Sequence, residues 1–110
     1  MTEPELDADG YPTQETLDAI RGWPIITGAD CEKLLQFVQK GWRYPAYCRR
    51  APRRQRRFHG GPLRRIWKLS TGGWSGHESM IYEMQENFFF WTLAWVSSRR
   101  GGHYEFETED

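Results

Sequence analysis

Apolar residues recur along this chain with two different periods, and the changes of period divide it into elements. Leu17 and Ile20 share one side of a short helical stretch that runs from Thr13, a capping residue, to about Arg21, where "GWP" stops it. Cys31, Leu34, Leu35, Val38 and Trp42 then repeat at helical spacing behind Asp30, which reads as the cap of a second, core-facing helix closing near Gly41. Residues 43–63 lose the period. Pro45, Pro52, Pro62 and the Gly60-Gly61 pair interrupt any regular element, so the stretch reads as a long basic loop. "RRIWKLS", Arg64 to Ser70, alternates as a strand. Ser75 and Glu78 have the S-x-x-E spacing of a capping box, and Met80, Ile81, Met84 and Phe88 fall on one face of a helix running to about Asn87. "FFWTLAWVS", Phe89 to Ser97, is apolar on both alternating faces, the pattern of a strand covered on two sides; "RRGG" then turns it into "HYEFE".

These elements predict an α+β domain: two N-terminal helices plus a β-α-β-β unit forming a small three-stranded sheet. The acidic residues 1–12, with Pro4 and Gly10, read as a flexible arm, which leaves 13–110 as a single domain with its basic loop at about 43–63. A hydrophobic content of 38% in 110 residues supports one modest core and no second one. The apolar run from Phe88 to Val96 is far shorter than the roughly 20 residues that span a bilayer. With an acidic start in place of a signal, it predicts a cytoplasmic protein with no membrane partner. Cys31 and Cys48 read as free thiols.

The formal net charge of +0 conceals a segregation. Residues 1–30 carry seven acids against Arg21 alone, whereas Arg43 to Lys68 carries ten bases and no acid. Guanidinium groups grip phosphates with a planar fork and release counterions, so Arg49, Arg50, Arg53, Arg54, Arg56 and Arg57 predict non-enzymatic binding of nucleic acid or another polyanion. The alternative is a loop that neutralises this protein's own acidic N-terminus or its "EFETED" tail.

A second candidate lies at "STGGWSG". If the two strands flanking the third helix pair in parallel, a right-handed crossover brings Ser70, Thr71, Gly72, Gly73 and Ser75 to the same sheet edge as Ser97, Ser98, Arg99, Arg100 and His103. Hydroxyls, glycine amides, a helix start and two guanidinium groups there suit an anion. The alternative is a tight turn at Gly72 and Gly73, a plain cap at Ser75 and Trp74 in the core, since no Walker-type or dinucleotide spacing is present. His59, His77, His103, Cys31 and Cys48 show no ligand spacing, so neither a metal nor a cofactor is expected. No residue is assigned as catalytic: Glu78 has a capping role, and His103 beside Arg100 serves either a small phosphate-ester-acting enzyme or a strand edge. Of the six tryptophans, Trp42, Trp67, Trp91 and Trp95 read as core, which leaves Trp23 and Trp74 as surface rings.

"STGGWSGHESMIYEMQEN" and "FFWTLAWVSSRRGGHYEFE", with "YPTQETLDAIRGWP" upstream, resemble a group of small uncharacterised phage- and prophage-encoded proteins. The likeness covers roughly the last 40 residues well and the first helix more loosely. It implies a setting, mobile-element cargo in a bacterial cytoplasm, and no particular activity. A reading from another class is an anti-CRISPR-like inhibitor of a host defence protein. Glu3, Glu5, Asp7, Asp9 and Glu105, Glu107, Glu109, Asp110 would then mimic phosphates while the arginines meet an acidic host surface.

Overall fold

A computed structural model describes residues 2–56, 60–61 and 63–109. Arg57, His59, Pro62 and Asp110, all named above, lie outside them. The chain is α+β. Thr13 caps α1 (Gln14–Arg21), its hydroxyl accepting from Thr16 N. The second helix, α2 (Gly28–Lys40), begins two residues before Asp30. Asp30 therefore does not stand at the cap but one turn in, where its Oδ2 accepts from Ile26 N at 2.8 Å and Thr27 N at 3.0 Å. These two backbone donors hold its carboxyl below the ordinary value.

The first twelve residues, read above as an arm, close over α1. Thr16 Oγ1 donates to Glu5 O and accepts from Glu5 N, both at 2.7 Å, and Leu6 bridges to Pro12. Lys40 Nζ meets Glu3 Oε1 at 3.0 Å.

The basic segment is not a structureless loop. A 3-10 turn at Pro45–Tyr47 leads into β1 (Cys48–Arg50) and β2 (Gln55–Arg56), and both pair antiparallel with β3 (Leu63–Ser70). Arg50 lies opposite Trp67 and Gln55 opposite Arg64, so five steps along one arm answer three along the other. The two surplus residues make a bulge within the exposed stretch Pro52 to Arg54. The segment is the outer arm of a twisted ribbon with Pro52 at the bulge, where no ladder donor is needed.

The run after α3 (Ser75–Glu86) also departs from the sequence reading. Phe88–Ala94 is a helix, α4, and only Trp95–Arg99 forms the strand β4, which turns into β5 (His103–Thr108). Asn87 decides this. Its Oδ1 accepts from Phe90 N at 3.3 Å, while its Nδ2 donates to Ile20 O at 3.0 Å and Trp23 O at 3.1 Å. Phe90 and Ala94, one turn apart, are buried; Phe88, Phe89 and Leu93 are 70%, 64% and 53% exposed.

The sheet order is β1-β3-β5-β4, with β2 also on β3, and every pairing is antiparallel. The expected parallel pairing of β3 and β4 is replaced by a split crossover: the two strands point the same way, with β5 inserted between them. Among the described residues five strands thus stand where three were expected. All helices lie on one face, where Trp67, Leu69 and Phe106 meet Leu34, Leu35, Val38, Met80, Met84 and Phe90 in the core. The opposite face is open and carries Arg49, Lys68, Glu105 and Ser97 in one cross-strand row. Among the described residues no helix is long and apolar enough to cross a membrane.

Candidate nucleic-acid interface

Strand alternation sorts the arginines of the ribbon. Cys48 faces the helices and is buried, Arg49 faces out, and Arg50 turns back towards the helices. There Arg50 Nε lies 2.8 Å from Glu32 Oε2, with its guanidinium 5.9 Å from the Trp67 ring centroid. Arg50, counted above among the polyanion contacts, is engaged internally. Arg49, Arg53, Arg54 and Arg56 are exposed. Arg49 Nε donates to Ala46 O at 3.1 Å, and Arg56 donates to Gly61 O. Lys68, opposite Arg49, adds an exposed cation. Arg64 meets Glu107 at 3.8 Å and Glu109 at 3.3 Å, so the acidic tail takes up part of the basic charge. Between the bulge and the open face is a concavity of about 570 Å³, lined by Arg49, Pro52, Gln55, Ile66, Lys68 and Glu105 among others.

The arginine arm is anchored by a residue the sequence reading passed over. Glu32 on α2 is buried, and its Oε1 accepts from Trp67 Nε1 at 2.8 Å and Thr108 Oγ1 at 2.7 Å. Its Oε2 accepts from Gln36 Nε2 at 2.7 Å and from Arg50 Nε. Burial by itself raises the carboxyl; the four donors, Trp67 foremost, outweigh it and hold the group below its ordinary value. One carboxylate thereby joins α2 to β1, β3 and β5. The only trace of this in the sequence is an acid set one position off the apolar stripe of α2.

At the other end of the open face, the split crossover does bring the ends of β3 and β4 together with the start of β5. Ser70 lies opposite His103 and His103 opposite Arg99, and Ser70 Oγ and His103 Nδ1 are hydrogen-bonded at 2.9 Å. With Lys68, Ser97 and Glu105 they line a hollow of about 90 Å³. Thr71, Gly72, Gly73, Ser75 and Arg100 are not part of its lining. Gly72 and Gly73, at φ +62° and +76°, form a tight turn in which Trp74 N donates to Thr71 O at 3.1 Å. Gly73 N turns inward to Thr71 Oγ1 at 3.3 Å. The Ser75/Glu78 capping box does not form. Trp74 holds the cap position, and its carbonyl accepts from His77 N and Glu78 N. The Trp74 ring lies over Gly76, where a Cβ would stand 2.4 Å from it, and this packing sets the helix start one residue early.

Among the described residues, nothing beyond its own chain neighbours lies within 4 Å of where a Cβ at Gly73 would sit. Gly73→Ala is therefore expected to cost only the positive-φ strain, about 1 kcal/mol in denaturant unfolding, and to leave polyanion affinity unchanged. Weaker binding by the folded variant would return Gly73 to the anion-binding edge.

His77, on the first turn of α3, is fully buried and was also not singled out as a structural residue. Its Nδ1–H donates to Thr71 O at 2.9 Å, and its Nε2 accepts from Arg43 N at 2.9 Å. The ring stacks on Trp42 at 4.0 Å and 3°. Burial, and secondarily the Arg43 charge, lower its pKa against the Thr71 carbonyl, so the ring is neutral at pH 7. Burial pushes the Cys31 thiol up to about 11 and the Cys48 thiol up to about 12, so neither is a nucleophile at neutral pH. Among the described residues no three His, Cys, Asp or Glu side chains are grouped to hold a metal ion.

Comparison with protein-family models, curated proteins and solved structures finds no match. The functional reading accordingly rests on the residues described above.

Proposed function

We propose that this protein is a non-enzymatic binder of nucleic acid or a similar polyanion, gripping backbone phosphates with its arginine ribbon. The observation that supports this most is the division of labour along the ribbon. Arg50 and Arg64 are matched to acids, Glu32, Glu107 and Glu109, while Arg49, Arg53, Arg56 and Lys68 are exposed on a segment that carries no acid, Arg49 and Arg56 each with a backbone carbonyl as partner. Arg49, Arg56 and Lys68 stand on strands, and cations so held meet a phosphate chain without a large ordering cost. The hollow at Ser70, Arg99 and His103 extends the same face. The resemblance noted above belongs to this proposal and sets it in a phage or prophage carried in a bacterial cytoplasm.

Titration of labelled mixed-sequence DNA and RNA oligomers tests the proposal. Affinity should fall steeply between about 50 mM and 200 mM salt, and Arg49→Gln with Arg53→Gln should flatten the log–log slope by about two. Absence of binding at low salt, or affinity indifferent to salt, would remove it.

A second reading, an anti-CRISPR-like inhibitor of a host defence protein, draws support from the exposed apolar face of α4 at Phe88, Phe89 and Leu93. A bacterial protein retained by this chain after nuclease treatment, and lost on Phe89→Glu, favours that reading; a partner lost on nuclease treatment favours nucleic acid.

A further inference from the structure

We infer that the ligand is single-stranded nucleic acid, with bases stacking on a tyrosine platform at the foot of the ribbon. The inference deepens the phosphate-binding reading and rests on it. Tyr44 and Tyr47 bracket the 3-10 turn that feeds β1, and each is 45% exposed although it is a large ring. Their centroids are 5.8 Å apart, and Tyr44 meets Trp74 edge-on at 6.5 Å. Tyr11, 37% exposed, also lies against Trp74, at 4.7 Å. The rings thus form one cluster open to solvent.

Two arginines flank the cluster. Arg43 sits 5.2 Å from the Trp74 centroid and 5.9 Å from that of Tyr44. Arg49, the first outward cation of the ribbon, is tied to the tyrosine turn by its bond to Ala46 O. Rings and phosphate-binding cations are therefore adjacent and mutually fixed, the pairing that a flexible strand with exposed base faces requires. In a duplex the base faces are already stacked on one another and are not available to a tyrosine. The cross-strand row on the open sheet face, Arg49, Lys68, Glu105 and Ser97, offers no ring, so stacking falls to the turn.

The platform is also held rigid from beneath. The Trp42–His77 stack supports Tyr44 edge-on at 5.7 Å, and the Arg43 backbone is pinned by His77 Nε2. Gly72 makes room for Tyr47: a Cβ there would stand 2.9 Å from Tyr47 Cε2. The glycine turn thus shapes the bed of an exposed ring.

The test compares four probes on the intact chain: a mixed-sequence single-stranded DNA oligomer, the same length without bases, the corresponding duplex, and inorganic polyphosphate. The base-bearing single strand should bind roughly a hundredfold tighter than the abasic one, two stacked bases contributing about tenfold or more each. Tyr44→Ala with Tyr47→Ala should remove that advantage and leave polyphosphate binding unchanged, while Tyr44→Phe with Tyr47→Phe should keep it. Equal affinity of wild type for the base-bearing and abasic strands overturns the inference whether or not the alanine variant folds, and so does a duplex bound as tightly as the single strand. If the wild type binds none of the four probes, the phosphate-binding reading itself fails; if polyphosphate binds but bases add nothing, only the platform fails.

Discussion

Glu32→Ala is expected to lower unfolding free energy by about 3–5 kcal/mol, the cost of breaking a buried charge pair and orphaning its neighbours. Trp67 Nε1 and Thr108 Oγ1 would lose their shared acceptor in a dry site, and Arg50 its counter-charge. Glu32→Gln should cost less than Glu32→Ala, because an amide oxygen can still accept from Trp67 and Thr108, and its remaining cost is an NH2 set against the Arg50 and Gln36 donors. Arg50→Ala should cost less again, since the Arg50 side chain is about a third exposed and water can take its place. The carboxyl is lowered in the folded state, so its contribution is present above the ordinary glutamate value of 4.5 and fades as pH falls through the folded value. Guanidinium unfolding followed by tryptophan fluorescence measures all three variants. A loss below about 1 kcal/mol for Glu32→Ala would show that the site relaxes or hydrates. The ribbon should also detach before the rest of the fold in hydrogen exchange of Glu32→Ala, because α2 then holds β1 only through packing and the long 3.4 Å bond from Gln39 Nε2 to Cys48 O.

His77→Phe should keep the stack on Trp42 but strand Thr71 O and Arg43 N, costing about 2–3 kcal/mol near neutral pH. Its pH signature is the sharper measurement. The folded histidine binds its proton less readily than the unfolded one, whose value is near 6.5, so the unfolded chain takes up more protons as pH falls below 6.5. Stability is therefore complete above that pH and declines below it, by up to about 1.4 kcal/mol per pH unit until the folded value is reached. In His77→Phe this segment of the profile should be flat. The same protonation ejects Arg43 N from its bond, and the tyrosine platform above it should loosen in parallel. A wild-type profile that does not change between pH 6.5 and 5 would mean that His77 is not neutral and buried in solution.

What could be read from the sequence was local. α1, α2, α3, β3 and β5 lie where the periods placed them, because each buries one face and so repeats its apolar residues every 3.6 or every 2 positions. The caps were less legible. Thr13 acts as read, whereas Asp30 and Ser75 are displaced by one turn and by one residue, since a carboxylate works equally well at the third helical position and a tryptophan ring over Gly76 outweighs a serine hydroxyl. The charge segregation was legible as composition. Its consequence was not, because which arginines remain for a ligand depends on the side of the ribbon each one occupies.

Four features belong to the tertiary structure alone. Phe88–Ala94 carries apolar residues compatible with either period, and it is helical because Asn87 reaches the carbonyls of Ile20 and Trp23, 67 and 64 residues away. The ribbon exists because β3 supplies partners to a segment with no alternation of its own. The insertion of β5 between β3 and β4 puts Ser70, His103 and Arg99 in one row without the parallel pairing that local order suggested. Glu32 stays charged in the core only because donors from three strands and its own helix converge on it. A period records how one segment meets its surroundings, and it is blind to pairings and polar contacts whose two halves lie far apart in the chain.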